Sequence, residues 1–257
     1  MPATARARAT AAPASFFTPR TLSFLRALKR NNDGAWFREH KADYVAHVQG
    51  PLHALLETLA DDLRNAAPEL ACSPRESTFR QYRDTRFSED KSPLKTYVAF
   101  VLRPRGFPKG SAAGLYAQFD WTETWIGGGL YHPEPAIRTA VREHIATHHR
   151  RLAAIVGAPA FRKQYGALEG DRLTRVPRGF DPDHPAAAFL MHKDWLASRT
   201  YPGTLATTAD FYPTLLALFR AAAPLIRFLN EPIAARAART LGDEPGVAAI
   251  SRRAARA

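Results

Sequence analysis

Between Arg80 and Lys95 the chain reads Arg-Gln-Tyr-Arg-Asp-Thr-Arg-Phe-Ser-Glu-Asp-Lys-Ser-Pro-Leu-Lys, with five basic and three acidic residues among sixteen. Guanidinium groups present rigid forks of donors that match carboxylate and phosphate oxygens, and lysines add compact point charges. Arg80, Arg83, Arg86, Lys91 and Lys95 are therefore candidate anion-binding residues. The same spacing suits a structural latch, in which Asp84, Glu89 and Asp90 pair with these bases and pin a long loop to a sheet.

Proton transfer needs an acid or base beside such an anion, and the candidates are Asp84, between Arg83 and Arg86, and His184. His184 closes the run Phe180-Asp181-Pro182-Asp183-His184, where two carboxylates and an imidazole could hold a metal or move a proton. Pro185 favours a plainer reading, with Asp183 or His184 capping a helix that begins there. His144 and His148 stand one helical turn apart with His149 adjacent, but Glu143 precedes the first histidine, so the His-Glu-x-x-His zinc pattern is not met. No metal site and no cofactor are expected.

Gly127-Gly128-Gly129 permits positive φ and close backbone approach but lacks the spacing of a dinucleotide fingerprint or a P-loop, so a bulge or tight crossing is expected. There is no Gly-x-Ser-x-Gly elbow, and Cys72 has no neighbouring base in sequence to activate it. Tyr116, Phe119, Trp121, Trp125 and Tyr131 could stack on bases, as in single-strand binders. They fall in an acidic stretch, however, and their spacing fits core positions, which is the expectation adopted.

The net charge of +12 invites a nucleic-acid partner, and its placement matters more than its size. Residues 75–109 carry +5 and residues 134–179 another +5, while 110–133 carry −2. With 46% hydrophobic residues the chain can build a substantial core. A single cysteine excludes an internal disulfide framework and multi-thiolate metal sites, and fits a cytoplasmic protein. Every oily run is interrupted before the roughly 18 residues needed to span a bilayer, so no membrane insertion is expected. Residues 1–15 lack the apolar stretch of a secretory signal and read as a disordered leader, with a transit peptide as the alternative.

The elements that must position these groups follow from periodicity. Thr18-Pro19 starts a helix with Leu22, Leu25 and Leu28 in register, and a second opens near Asp33. Gly50-Pro51 should kink or break that helix before a leucine stripe from Leu52 to Leu63. Four β-like runs follow, at 76–83, 96–103, 114–121 and 124–131, joined closely enough for an antiparallel meander. A long helix from Pro135 carries Ile137, Val141, Ile145, His148, Leu152 and Ile155. Short strands at 173–176 and 196–200 flank a helix at 185–192, and a last helix capped by Asp210 must bend at Pro224. The expected architecture is a single α+β domain over residues 16–236, with a central, mostly antiparallel sheet, long helices around it and a loose basic tail over 237–257.

The run Phe79-Arg80, Tyr82-Arg83-Asp84-Thr85-Arg86-Phe87-Ser88, Asp90-Lys91-Ser92-Pro93 and Lys95-Thr96 resembles the signature of a microbial family known as domain of unknown function 2461. Gly127-Gly128-Gly129-Leu130 and the series Phe161, Gly166, Leu168, Gly170, Leu173, Pro177, Gly179-Phe180 and Asp183-His184-Pro185 agree with it. Leu94 stands where an aromatic residue would be expected. The resemblance spans about Phe16 to Asn230, implies a mixed α/β fold and a cytoplasmic protein, and carries no functional role to any residue.

Three functions compete at this level. The first is binding of a phosphorylated small molecule or a nucleic-acid backbone by the 80–95 bases. The second is an enzyme for an anionic substrate with Asp84 or His184 as the proton-transfer group. The third is a protein-interaction domain whose charge cluster is purely structural.

Overall fold

The computed structural model describes residues 15–242. Helix α1 (Pro19–Arg30) starts as its Thr-Pro opening predicts and buries Leu22, Leu25 and Leu28 together with Thr21 and Phe24. The Thr21 hydroxyl accepts the Thr18 N–H at 3.2 Å and donates to the His47 carbonyl at 2.7 Å, so one side chain both closes the helix start and ties it to the helical turn Val45–Gln49. Asp33 accepts the N–H groups of Ala35 and Trp36 at 2.8 and 2.9 Å and so caps α2 (Gly34–Glu39).

Gly50-Pro51 does not break the chain's helical course. Helix α3 (Lys41–Tyr44) passes through a π-helical segment, Val45–Gln49, directly into α4 (Gly50–Asp62). A π segment widens the backbone just where the proline ring and its missing donor must be accommodated. Leu52, Leu55, Leu56 and Leu59 of α4 are buried as the stripe predicts.

Strands β1 (Leu70–Ala71), β2 (Val98–Pro104), β3 (Gly114–Phe119), β4 (Glu123–Leu130) and β5 (Trp195–Pro202) form one antiparallel sheet in sequence order. Three of the predicted runs became β2, β3 and β4 within a few residues, and the 196–200 run became β5. Residues 131–194, between β4 and β5, hold α6 (Pro135–Gly157), α7 (Pro159–Tyr165) and α8 (Ala187–Leu190). The eight residue pairs from Glu123↔Pro202 to Leu130↔Trp195 make β4 and β5 long partners despite this excursion. The α+β class and the antiparallel sheet are as expected.

Helix α9 (Phe211–Gly242) lies against β3 and β4 on one face of the sheet and against α6 and α7 beyond it. It runs on through Pro224 and Pro232, past the expected end near residue 236. Its span Phe211–Arg239 is long and apolar enough to cross a membrane by length and composition. Here it serves as the central core helix, with Leu215, Leu218, Phe219, Leu225, Ile226 and Phe228 buried beneath the sheet. The N-terminal helices join the same core, since Phe17 meets Phe119 and Phe211 edge to face at 4.5 and 5.9 Å.

Three further expectations are corrected. Residues 76–83 form no strand: Ser73 accepts the Glu76 N–H as an N-cap, and its hydroxyl donates to the Glu76 carboxylate, which turns Pro74–Ser77 into a helical turn, α5. Only single bridges follow, Thr78 with Phe100 and Tyr82 with Leu94. Residues 173–176 also form no strand, and Arg172 alone bridges to His192. His148 leaves the apolar stripe of α6 because the backbone there is non-helical (φ −117°, ψ 27°), which turns its ring outward while Val141, Ile145 and Leu152 stay buried. The leader over 1–14 and the tail beyond 242 lie outside the described residues.

Candidate functional site

The two faces of the sheet differ. Leu115, Ala117 and Phe119 of β3 point at α9 and are buried, whereas Gly114, Tyr116 and Gln118 point the other way. On β4 the outward set is Glu123, Trp125, Gly127 and Gly129, and Val101 on β2 and Leu196 on β5 complete it. This open face carries a cavity of about 620 Å³. Cavities of that size commonly take small-molecule ligands.

Its floor is low because of glycine. A Cβ on Gly127 would overlap the Ala197 carbonyl oxygen, and one on Gly129 would overlap the Trp195 carbonyl oxygen while φ there is +145°. The triple glycine is thus a close crossing of β4 and β5, one of the two roles foreseen for it. Beside this bare strip the Tyr116 and Trp125 rings meet edge to face at 5.5 Å, and Phe79 meets Tyr116 at 6.2 Å. The Tyr116 hydroxyl donates to the Gln118 amide oxygen at 2.7 Å. Burial raises the Tyr116 pKa, with a smaller contribution from Tyr97, so it remains a neutral donor.

The expectation that the aromatic group is core therefore holds for only part of it. Phe119 is fully buried and Trp121 packs against the core, but Tyr116 and Trp125 line the cavity and Tyr131 is 64% exposed at its edge.

Cations gather at the Phe79 side. The Lys95 and Lys109 ammonium groups lie 4.9 and 4.7 Å from the centre of the same Phe79 ring. Lys109 also donates to the Thr78 carbonyl. Burial lowers the pKa of both lysines, and neighbouring positive charge lowers it further: Arg80 and Lys109 act on Lys95, and Arg103 acts on Lys109. Among the described residues neither lysine has a carboxylate within ion-pair distance.

The 80–95 segment divides by function. Arg83 N–H donates to the Pro93 carbonyl, Lys95 N–H donates to the Gln81 carbonyl and Tyr82 bridges Leu94, so the segment is a small hairpin. Within its tip Arg83 pairs with Asp90 and donates to Ser88. Arg86 forks onto Asp84 at 2.8 and 3.0 Å, and Lys91 donates to the Thr85 carbonyl at 3.0 Å. Those three bases act inside the loop. Arg80, 3.9 Å from Asp84 and 70% exposed, and Lys95, at the hairpin's foot, lie toward Phe79. Asn32 fastens that foot to the N-terminal helices by accepting the Leu94 N–H and donating to the Leu94 carbonyl, both at 2.9 Å.

Hydrogen bonds from Arg86 lower the Asp84 pKa, and those from Ser92, then Arg83, lower that of Asp90. A carboxylate with a depressed folded pKa contributes stability above its unfolded pKa and loses it as pH falls through the folded one. Here both groups are solvent-exposed, so the contribution is small. Replacing Asp84 by Asn, or Arg86 by Gln, is expected to leave the thermal midpoint at neutral pH within about 2 °C of wild type. A marked fall measured by circular dichroism would make the tip a structural latch.

The proton-transfer candidates do not meet. Asp84 contacts Arg86 and Arg80 and lines none of the cavities described. His184 accepts the Ala186 N–H at 3.0 Å and faces the His149 ring at 5.5 Å, but it caps no helix: α8 begins at Ala187 rather than at Pro185, with Ala186 in the N-cap position. His144 lies 3.2 Å from Glu231, which Arg151 also holds, and no group of three or more metal-binding side chains occurs among the described residues. Cys72 donates to the Leu56 carbonyl at 3.2 Å, and burial pushes its thiol up to about 12, so it is no nucleophile at neutral pH.

Phe79, Arg103, Lys109, Tyr116 and Trp125 are the site residues that the charge pattern did not single out. A signal existed in β3, where Gly114, Tyr116 and Gln118 alternate with a wholly apolar set, as on a sheet with one solvated face.

No curated protein and no solved structure matches the chain. The model of a family described as conserved hypothetical protein (DUF2461) matches residues 20–228, a span that holds every strand, the hairpin and the cavity. The chain belongs to the DUF2461 family.

Proposed function

We propose that the protein binds a phosphorylated small molecule in the cavity on the open face of the sheet, with Lys95 and Lys109 holding the phosphate and Arg80 and Arg103 reinforcing the field. The observation that carries this reading is the pair of ammonium groups over one Phe79 ring with no carboxylate partner among the described residues. Two mutually repelling, partly desolvated cations are unfavourable alone and become favourable around an anion. A cavity of about 620 Å³ lined by Phe79 and Lys109, with Lys95 on the same Phe79 ring, suits a small ligand better than a nucleic-acid backbone, which calls for a longer basic stripe. Binding is favoured over catalysis because Asp84 is engaged by Arg86 and His184 by its own turn. We assign the protein to the cytoplasm, consistent with its single cysteine.

Calorimetric titration with sugar phosphates, nucleotides and inorganic phosphate tests the reading. Lys95→Met and Lys109→Met should each weaken the best ligand about tenfold or more, the loss of one charge-assisted hydrogen bond. Affinity should fall as pH rises through the lowered lysine pKa values, that is, starting below the ordinary 10.5. The free protein should move oppositely: between the lowered folded pKa and 10.5 the unfolded chain binds more protons, so stability rises with pH. Failure of every phosphorylated compound to bind at low salt would overturn the proposal, and tighter binding of DNA or RNA than of any small phosphate would replace it.

A further inference from the structure

The cavity has a second polar end that a bare phosphate does not use. Glu123, the first residue of β4, lines the cavity with no basic partner within ion-pair distance among the described residues. Gln118, also in the lining, has its amide oxygen occupied by the Tyr116 hydroxyl, which leaves the amide N–H₂ as the group it can offer. Trp125 lies two residues beyond Glu123 on the same face, and in the β3–β4 register it stands opposite Gln118.

The cationic end lies elsewhere. Thr78 bridges to Phe100 on the side of β2 away from β3, so Phe79 and its two lysines sit at the β2 edge while Glu123 sits on β4. Three inter-strand spacings separate the Thr78–Phe79 segment from β4, about 14 Å between backbones. An occupant that satisfies both ends must be extended, anionic at one end and a hydrogen-bond donor at the other. Its middle must be flat and apolar enough to lie on Tyr116, Trp125 and the bare glycine strip.

From this arrangement, and resting on the phosphate-binding reading above, we infer that the ligand is a nucleotide whose base carries an exocyclic amine. The base stacks on the Trp125 ring with Tyr116 against its edge, its amine donates to the Glu123 carboxylate, and its phosphate reaches Lys95 and Lys109. Aromatic side chains stack on any nucleobase, so the rings supply affinity without choosing the base. A carboxylate is a pure acceptor and favours an amino group over a carbonyl at the same ring position, so Glu123 makes the choice.

Pairs of nucleotides that differ at this group test the inference. Equilibrium binding of AMP against IMP and of CMP against UMP, with ribose 5-phosphate as the ring-free probe, is measured for the wild-type protein and for Glu123→Leu. The expected result is a preference of about tenfold for AMP and CMP, and a ratio near one in the variant. Equal binding of all four nucleotides to the wild type would overturn the amine assignment and leave the phosphate site standing. Ribose 5-phosphate binding as tightly as AMP would overturn the stacking. A preference that survives Glu123→Leu would remove Glu123 from the reading, and failure of every probe would overturn the phosphate site itself. Because the AMP-to-IMP ratio is read first on the wild type, the test does not depend on how the variant folds.

Discussion

Gly129→Ala is expected to destabilise the protein by about 4 kcal/mol in denaturant unfolding, the sum of a backbone and a steric penalty. At φ +145° an L-residue is strained before any contact is considered, and the added Cβ would strike the Trp195 carbonyl oxygen and come within 2.8 Å of Leu196 Cα. Backbone atoms of a paired strand have little room to give. The variant would have to push β5 off β4 at the register pair Gly129↔Leu196, breaking the ladder that brings residues 195–202 back to the sheet. Gly106→Ala is the matched control: φ there is +82° but nothing lies within 4 Å of the added carbon, so only the backbone penalty of about 1 kcal/mol applies. A Gly129→Ala cost no larger than that of the control would mean that the close crossing of β4 and β5 does not exist as described. Since this crossing also keeps the cavity floor free of side chains, the same substitution should remove ligand binding even in whatever fraction stays folded.

Asn230→Leu is expected to cost about 3 kcal/mol although the two side chains have the same branching and number of heavy atoms. Asn230 sits on α9 and faces Ala113, whose residue is fully buried just before β3. The Asn230 amide oxygen accepts the Ala113 N–H at 2.9 Å, and its amide nitrogen donates to the Ala113 carbonyl at 3.0 Å. Leucine would leave a buried N–H and a buried C=O without these partners, and each is far from water. Chemical unfolding of Asn230→Leu beside Asn230→Asp separates the contributions. The aspartate keeps the acceptor and loses the donor, so on hydrogen bonding alone it should fall between wild type and leucine unless its buried charge adds a further cost. Wild-type stability in the leucine variant would show that the Ala113 backbone is otherwise satisfied. Ala112 and Gly114, on either side of Ala113, line the cavity, so the loosened variant should also bind ligand more weakly.

The strands illustrate why much of the fold is readable. In β3 and β4 buried residues recur every second position, a local period that is the same information the sheet uses to choose its core face, while β2 is marked by the continuous apolar run Val98 to Leu102. The 76–83 run misled because its apolar and β-prone residues outweighed Ser73-Pro74-x-Glu76, an N-cap that sets a helical turn with bonds spanning only three residues. At His148 the apolar stripe is regular in sequence, yet a backbone departure within α6 moves the ring to the surface. Nothing in the local spacing marks that departure.

The hairpin at 80–95 is the clearest division between what sequence and structure decide. Its charge density, its loop character and its family signature are properties of adjacent residues, and they were sufficient to locate it. Whether a given base holds the loop or faces a ligand is decided by groups brought close in space. Arg83, Arg86 and Lys91 find partners within seven residues, inside their own loop. Lys95 shares the Phe79 ring with Lys109 because β2 and the chain after it return Lys109 to the hairpin's foot. The aromatic floor likewise exists only because α9 covers the other face of the sheet and leaves Tyr116 and Trp125 uncovered. The sequence by itself determined the α+β class, most of the strands and the address of the charged loop, since hydrophobic period and loop chemistry act over a few residues. Tertiary structure alone decided which cations lack a carboxylate partner and which aromatics stay open, because pairing and burial depend on segments distant in the chain.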